Sequence, residues 1–390
     1  MNKFNSIFGQ ILHLFSKREF FETVNATQSE RNAKGFSSWD QFVAMLFCQL
    51  GQAHSLREIC GGLASCFGKA KHLGIKKAPK RSTLSYANEH RPWQLYEKTF
   101  YQLLGKCRQL EFGKRRFRFK NKLFSLDATV IELCASLFDW AKFRQTKGAV
   151  KLHLLLDHDG YLPVFAHITD GKTHEVKVAQ AMTFPPGSIV AMDKGYVDYE
   201  LFWRWTEDGV FFVTRQKDNA RYRVLEEKPL PRHRNILNDQ LIEMEVFNTH
   251  KKYPGILRRI EVWDEENEKV IVLLTNHMMF GSTTIAAIYK DRWQIEIFFK
   301  TIKQNLRIKT FVGTSPNALL IQIWTALIAV LILKYLKYRS LFQWSLSNLV
   351  AMLRYNLFTY RDLWAWIDQP YEPPPVTVMQ EQLSLNWTAS

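Results

Sequence analysis

Three acidic side chains in this sequence stand where packing alone gives no reason for an acid. Asp127 lies inside the apolar run FSLDATVI, where a charge is costly to bury unless it is paired or bound to a metal. Asp193 closes the apolar run SIVAMD, at what reads as the C-terminal end of a strand, a place where α/β sheets present ligands. Glu296 stands in YKDRWQIEIFFKTIKQNLRI, from Tyr289 to Ile308, on a face otherwise set with aromatic and basic groups. At about 100° per residue, Tyr289, Arg292, Glu296, Lys300, Lys303 and Arg307 share one stripe of a single helix. Ile288, Ile295, Phe299, Ile302 and Leu306 form an apolar stripe beside it. Three carboxylates on three separate elements suit two Mg²⁺ ions, hard cations that prefer oxygen ligands. For the helix taken alone, a solvated basic face with one i,i+4 ion pair is an equally good account.

Composition narrows the partner. The 390 residues are enough for two or three domains, and 46% hydrophobic with 23% charged is ordinary for a folded chain. Lys and Arg number 53 against 37 Asp and Glu, and the resulting +16, with a pI near 9.5, favours a polyanion. Nucleic acid leads, and an anionic membrane surface comes second. Cys48, Cys60, Cys66, Cys107 and Cys134 lack CxxC spacing and read as reduced packing residues, not as zinc ligands. No small-residue cleavage site follows the apolar stretch of MNKFNSIFGQILHLFSK, so no secretion signal is read. ALLIQIWTALIAVLIL, from Ala318 to Leu333, falls slightly short of a membrane span and is interrupted by Gln322 and Thr325. A buried core helix is expected there, and no membrane partner. Phosphate loops of the GxG type are absent, which leaves an ATP-dependent reading without support.

The elements that must position the three acids follow from periodicity. Residues 1–120 read as helical, with Ser37 and Ser38 as possible caps before WDQFVAMLFCQL. From Cys66 to Lys122 there are 16 Lys or Arg against 3 Glu, interleaved with aromatics. Arg81 and Arg91, in RSTLSYANEHRPWQLYEK, and Lys114, Arg115 and Arg116, in FGKRRFRFKNK, are candidate contacts to a DNA backbone. A solvated linker face is the alternative. From Lys122 the pattern becomes strand-like: LFSLDATVIEL, then AVKLHLLLDHDGYLPVFAHIT as a hairpin around DHDG. THEVKVAQAMT reads as a helix, SIVAMD as a strand, YELFWRWTEDG as a helix and VFFVTRQ as a strand. This is a mixed α/β core in two parts, 121–220 and 277–336, interrupted at 221–276 by a mostly β insertion with MEVFNTH, ILRRIEVWD and KVIVLLTNH as strands. Residues 337–390 are expected to be helical, with an extended tail from Gln369. Asp157 and Asp159 read as turn formers, Asp170 and Glu175 as helix caps. His153, His167 and His174 lack ligand spacing and are given no catalytic part.

On these residues the chain resembles the DDE transposases of bacterial insertion sequences, in the insertion-sequence-4 branch whose third motif reads Tyr, two residues, Arg, three residues, Glu, six residues, Lys. Tyr289, Arg292, Glu296 and Lys303 match it at all four positions. LDAT, at Leu126–Thr129, resembles the first aspartate motif and DKGY, at Asp193–Tyr196, the second, so the likeness runs over roughly residues 120–335. The resemblance implies a ribonuclease-H-like core with a β insertion, an α-helical N-terminal DNA-binding region and an α-helical C-terminus. It implies that Asp127, Asp193 and Glu296 are the catalytic acids and hold two Mg²⁺ ions, with Mn²⁺ able to substitute. Arg292 and Lys303 would contact phosphates beside Tyr289, and the stripe geometry adds Lys300. The activity implied is hydrolysis at the ends of the element followed by strand transfer of the 3′-OH into target DNA. The partners implied are double-stranded DNA and a second copy on paired ends, in the bacterial cytoplasm at the nucleoid. Some members stabilise a flipped base with an aromatic from the insertion, for which Trp263 is a candidate, with strand packing as its alternative role. The rivals are a metal nuclease of the same fold without strand transfer, and a transposase-derived DNA-binding protein without catalysis.

Overall fold

Serines open the first helices. In the computed structural model, which describes residues 5–31, 33–66, 69–110, 116–134, 142–144, 147–232, 234–306 and 311–372, Ser6, Ser16, Ser37 and Ser55 each accept a hydrogen bond from the backbone N–H three residues on. They start α1 (Ile7–Leu12), α2 (Lys17–Ala26), α3 (Ser38–Leu50) and α4 (Leu56–Ala64). Ser37 and Asp40 complete a capping box, so the cap expected there is present. RSTLSYANEHRPWQLYEK forms two helices, α5 (Arg81–His90) and α6 (Gln94–Arg108). They separate at Arg91, whose extended backbone (φ −82°, ψ 138°) is what a following proline favours.

The sheet begins with β1 (Leu123–Cys134), β2 (Lys142–Arg144), β3 (Lys147–Asp157) and β4 (Leu162–Asp170). All three of its companions pair antiparallel with β3. Next come α7 (Glu175–Gln180), β5 (Ile189–Met192), α8 (Tyr199–Glu207) and β6 (Phe211–Arg215). β5 lies parallel to β1, and β6 parallel to β5. The segment 221–276 supplies β7 (Tyr222–Glu227), β8 (Ile236–Met244), α9 (Phe247–Lys252), β9 (Leu257–Asp264) and β10 (Lys269–Thr275). Because β10 pairs antiparallel with β6, these strands extend the core sheet and do not form a sheet of their own. The strand order is β2-β3-β1-β5-β6-β10-β9-β8-β7, with β4 also on β3. MEVFNTH, expected as a strand, leaves the ladder at Met244 and turns into α9, because the partner β7 starts at Tyr222, opposite Met244.

Five helices complete the described residues: α10 (Ser282–Asp291), α11 (Trp293–Asn305), α12 (Pro316–Arg339), α13 (Leu346–Asn356) and α14 (Leu363–Asp368). The single helix expected from Tyr289 onward is two helices meeting at Arg292. There the backbone tightens to three-residue hydrogen bonds, Arg292 N–H to the Tyr289 carbonyl at 3.2 Å and Ile295 N–H to that of Arg292 at 3.0 Å. Among the described residues α12 is the one helix long and apolar enough to cross a membrane, and 83% of its most apolar window is buried inside the protein. It packs against α3, α5, α6 and α13. The two polar residues that interrupt its apolar run have partners: the Gln322 side-chain oxygen accepts from Val312 N–H at 2.9 Å, and Thr325 donates to the Ile321 carbonyl at 2.6 Å. The N-terminal helices therefore share one apolar core with α11, α12 and one face of β1 and β3.

Strand alternation assigns the two faces. Ile131 and Leu133 of β1 and Leu152, Leu154 and Leu156 of β3 face the α11–α12 side. Phe124, Leu126, Leu155, Val190 and Met192 face α7 and α8. Leu123, Ile189 and Ala191 meet Ile285, Ile288 and Tyr289 of α10. A buried ion pair ties the outer strands to the connection into α10. Arg258 on β9 donates to both oxygens of Asp239 on β8, at 2.8 and 2.6 Å, and to the carbonyls of His277, Met278 and Phe280. Replacing Arg258 by Met strands Asp239 in the interior and is expected to lower unfolding free energy by about 3–5 kcal/mol. Urea denaturation checks this; the double change Arg258→Met, Asp239→Leu should recover most of the loss.

Candidate active site

Asp127 and Asp193 meet through sheet register. Leu126 is paired with Met192, so the next residue on each of the two parallel strands is an aspartate. Alternation turns Asp127 to the side of Leu123 and Ser125, and the extended backbone of Asp193 (φ −78°, ψ 164°) carries the same alternation one residue past β5. That side is the one covered by α10 and α11. Glu296 comes from the first turn of α11, and the joint at Arg292 aims a guanidinium between the two elements. Arg292 Nη1 lies 3.1 Å from Asp127 Oδ2 and Nη2 lies 2.8 Å from Glu296 Oε1. Arg292 is 6% exposed, and its Nε has no hydrogen-bond partner among the described residues.

The joint itself is pinned on both sides. Tyr289, buried at the end of α10, lies under the guanidinium with 5.5 Å from its ring centre to the Arg292 carbon. Asp291, fully buried, accepts from His158 Nδ1 at 2.6 Å, from the Tyr161 hydroxyl at 3.1 Å and from Arg116. His158 Nε2 in turn stands 2.7 Å from the Ser125 hydroxyl on β1. The hairpin turn thus anchors the residue before Arg292 to the strand that carries Asp127.

The electrostatics follow from burial among like charges. Burial pushes the Asp127 carboxyl up to about 6, against the pull of Arg292 and the Ala128 N–H, and the charges of Glu296 and Glu175 push the same way as burial. The Tyr196 hydroxyl is held far above its ordinary range by burial first, then by Asp127, Glu175 and Asp193. Asp193 has no ion pair among the described residues. A groove of about 430 Å³ opens beside the bridge, lined by Asp127, Ala128, Thr129, Glu296, Lys300 and Lys303 among others. Lys300 is exposed on it, and Lys303 donates to the Val130 carbonyl at 2.9 Å. The donors here are all oxygens, as hard divalent cations prefer, and a carboxylate raised by burial is one whose charge a cation would stabilise. No three His, Cys, Asp or Glu among the described residues surround one point closely enough to hold a metal ion.

Of the other residues expected to touch DNA, Arg81 is exposed at the start of α5. Arg91 turns inward, donating to the Phe36 carbonyl and to Gln41 at 3.4 Å, with its guanidinium over the Phe36 ring. Arg116 is half-exposed and engaged with Asp291. Lys114, Arg115 and Arg307 lie outside the described residues. Trp263 is 37% exposed on β9, opposite Val270 of β10. Two parts of the site escaped sequence reasoning. Asp291 had no distinguishing signal beyond its place between Tyr289 and Arg292. Glu175 was read as a cap; its carboxylate instead pairs with Lys151 at 3.4 Å, and its charge reaches Asp127.

Comparison with known proteins places the chain in a family. A family model described as "Transposase DDE domain" matches residues 118–332, and one described as a domain of unknown function (DUF4372) matches residues 3–76. A protein of Sinorhizobium fredii named as a transposase is 31% identical over 303 residues, 77% of this chain and 82% of that one. A protein of Geobacillus stearothermophilus named as the transposase of insertion sequence IS5377 is 27% identical over 65% of this chain and 67% of its own length. The piggyBac transposase in a synaptic complex with hairpin DNA shows a distant likeness, with a TM-score of 0.43 at 9% identity over 96% of this chain and 84% of that one, too remote to carry function. The chain belongs to the DDE-domain transposase family.

The raised Asp127 has a consequence for the metal-free protein. Its folded value, about 6, exceeds the ordinary 3.8, so its contribution to stability is fully present below pH 3.8 and is lost as pH rises through 6. Compared with Asp127→Asn, the wild-type protein in chelator should therefore lose roughly 2 kcal/mol between pH 4 and pH 7. Parallel denaturation curves at the two pH values measure it.

Proposed function

We propose that this chain is the transposase of an insertion sequence of the Tyr-Arg-Glu-Lys, insertion-sequence-4 branch. It binds the ends of its element, cleaves by metal-dependent phosphodiester hydrolysis and joins the freed 3′-OH to target DNA. The observation that carries this reading is the reach of Arg292 to both Asp127 and Glu296, with Asp193 next in register and Lys300 and Lys303 along the adjoining groove. The order β4-β3-β1-β5-β6, three antiparallel strands followed by two parallel ones, supports a ribonuclease-H-like core.

Asp127, Asp193 and Glu296 would hold two Mg²⁺ ions, or Mn²⁺ in their place. Bound there, such ions make a water or hydroxyl more acidic and neutralise charge on the leaving oxygen. The chain's own residues orient the substrate. Lys300 and Lys303 bind backbone phosphates along the groove, and Arg292 contacts the phosphate next to the cut. In the first step water attacks phosphorus and the P–O3′ bond at the end breaks, releasing a 3′-OH. In the second step that hydroxyl attacks a target phosphodiester, exchanging one P–O bond for another, so no energy source is required. Residues 1–120, rich in Lys and Arg, serve as the end-binding region with Arg81 on its exposed surface. Two copies on paired ends form the working assembly, and the enzyme acts at the nucleoid in the bacterial cytoplasm.

Changing Asp127, Asp193 or Glu296 to Ala should abolish cleavage of a labelled end while leaving end binding within about threefold of wild type. Gel shift and cleavage assays on the same DNA separate the two effects, and chelation by EDTA should stop cleavage alone. If Asp193→Ala still cuts with Mg²⁺, the assignment is wrong. Lys303→Ala and Lys300→Ala should instead weaken binding and reduce the slope of log affinity against log salt by about 1 each.

A further inference from the structure

A buried carboxylate precedes the arginine that bridges Asp127 and Glu296. Asp291 is the last residue of α10, and its side chain is fully buried. An ionised acid in the interior is costly, and apolar residues of similar size are often as stable or more so. Burial works against its charge, yet the hydrogen bond from His158, with Arg116 and Tyr161, holds the carboxyl below its ordinary range. Stability alone gives no reason for an acid at this position.

Its donors show what the acid does. Oδ2 accepts from His158 Nδ1 at 2.6 Å and from the Tyr161 hydroxyl at 3.1 Å, both in the turn between β3 and β4, and Oδ1 accepts from Arg116, ahead of β1. His158 Nε2 stands 2.7 Å from the hydroxyl of Ser125, two residues before Asp127 on β1. Serine, imidazole and carboxylate in that order make the contacts of a nucleophilic relay. Ser125 is 0% exposed, however, and the His158 side chain only 6%, so no substrate reaches the hydroxyl. What these contacts join is the strand that carries Asp127 and the joint that carries Arg292. The turn itself is fixed: the His158 N–H donates to the Leu123 carbonyl of β1 at 3.0 Å, and Lys334 of α12 donates to the Gly160 carbonyl at 3.3 Å.

We propose, resting on the function given above, that His158 is a positioning residue for the reaction. Tied to β1 by its backbone and by Ser125, it holds Asp291 and so sets where the Arg292 guanidinium stands relative to Asp127 and Glu296. The acid serves this end because a charge-assisted hydrogen bond fixes distance and direction, which apolar contact does not.

The test is single-turnover cleavage of a labelled end by the full-length protein, with urea denaturation of the same samples. His158→Leu should lower the rate at saturating DNA about tenfold or more, while the DNA concentration for half-maximal rate stays within about twofold of wild type. His158→Asn, whose amide nitrogen can take the place of Nδ1, should retain most of the rate, whereas His158→Gln, which replaces Nε2, should fall with His158→Leu. The double change His158→Leu, Asp291→Leu fills the interior with apolar groups and should recover the stability lost in His158→Leu without recovering the rate. A rate that returns with the stability makes the pair an element of the fold only and overturns the proposal, as does a wild-type rate in His158→Leu. Undiminished cleavage by Asp193→Ala overturns instead the three-acid reading on which the proposal rests.

Discussion

One guanidinium holds the site together. Asp127 and Glu296 are drawn from elements far apart in the chain, and two carboxylates in a partly buried pocket repel strongly unless a cation stands between them. Arg292 fills that place with its two outer nitrogens, one to each acid. A lysine could not do the same, because an ammonium is a point charge without a planar fork. The arrangement also explains the raised Asp127 carboxyl, since one shared arginine only partly offsets burial and the two further acids nearby. Removing the arginine would leave both acids uncompensated.

The rest of the fold delivers that arginine. β1 and β5 run parallel in a register that sets two aspartates next to each other, and α11 packs on β1, its apolar stripe pressed against α12. The joint between α10 and α11 turns at Arg292 itself. On one side of it Asp291 is locked to His158, Tyr161 and Arg116, and Tyr289 lies beneath the guanidinium. A continuous helix would have kept the polar stripe straight, whereas the break redirects one side chain toward the strand. Because α12 is shared between the N-terminal helices and the sheet, destabilising the helical core should also loosen the floor of the site.

Much of this was legible in the amino-acid order, for a physical reason. An aspartate inside FSLDATVI and another ending SIVAMD violate local hydrophobic patterning, and such violations concentrate at functional positions. Glu296 and its basic neighbours were visible through helical spacing, and α12 through its apolar length. What stayed hidden depends on contacts between distant elements. The helix break at Arg292 follows from tertiary anchors on both sides and has no proline or glycine to announce it. Glu175 reaches the site from the other face of the sheet, a route that strand and helix periodicity do not describe. Arg91 looked like a surface cation, but its guanidinium is engaged by the Phe36 carbonyl and ring. The pairing of β10 with β6, which makes the insertion an extension of the core sheet, depends on register between strands about 60 residues apart.

Arg292 holds oxygens of Asp127 and Glu296 for which a divalent ion bound by those acids would compete. Diffraction from crystals soaked in Mn²⁺, recorded at the manganese absorption edge, tests this most directly. Anomalous density is expected between Asp127, Asp193 and Glu296, with the Arg292 guanidinium withdrawn from at least one of its two carboxylates. Manganese bound elsewhere, with the Arg292 bridge unchanged at saturating ion, would contradict it.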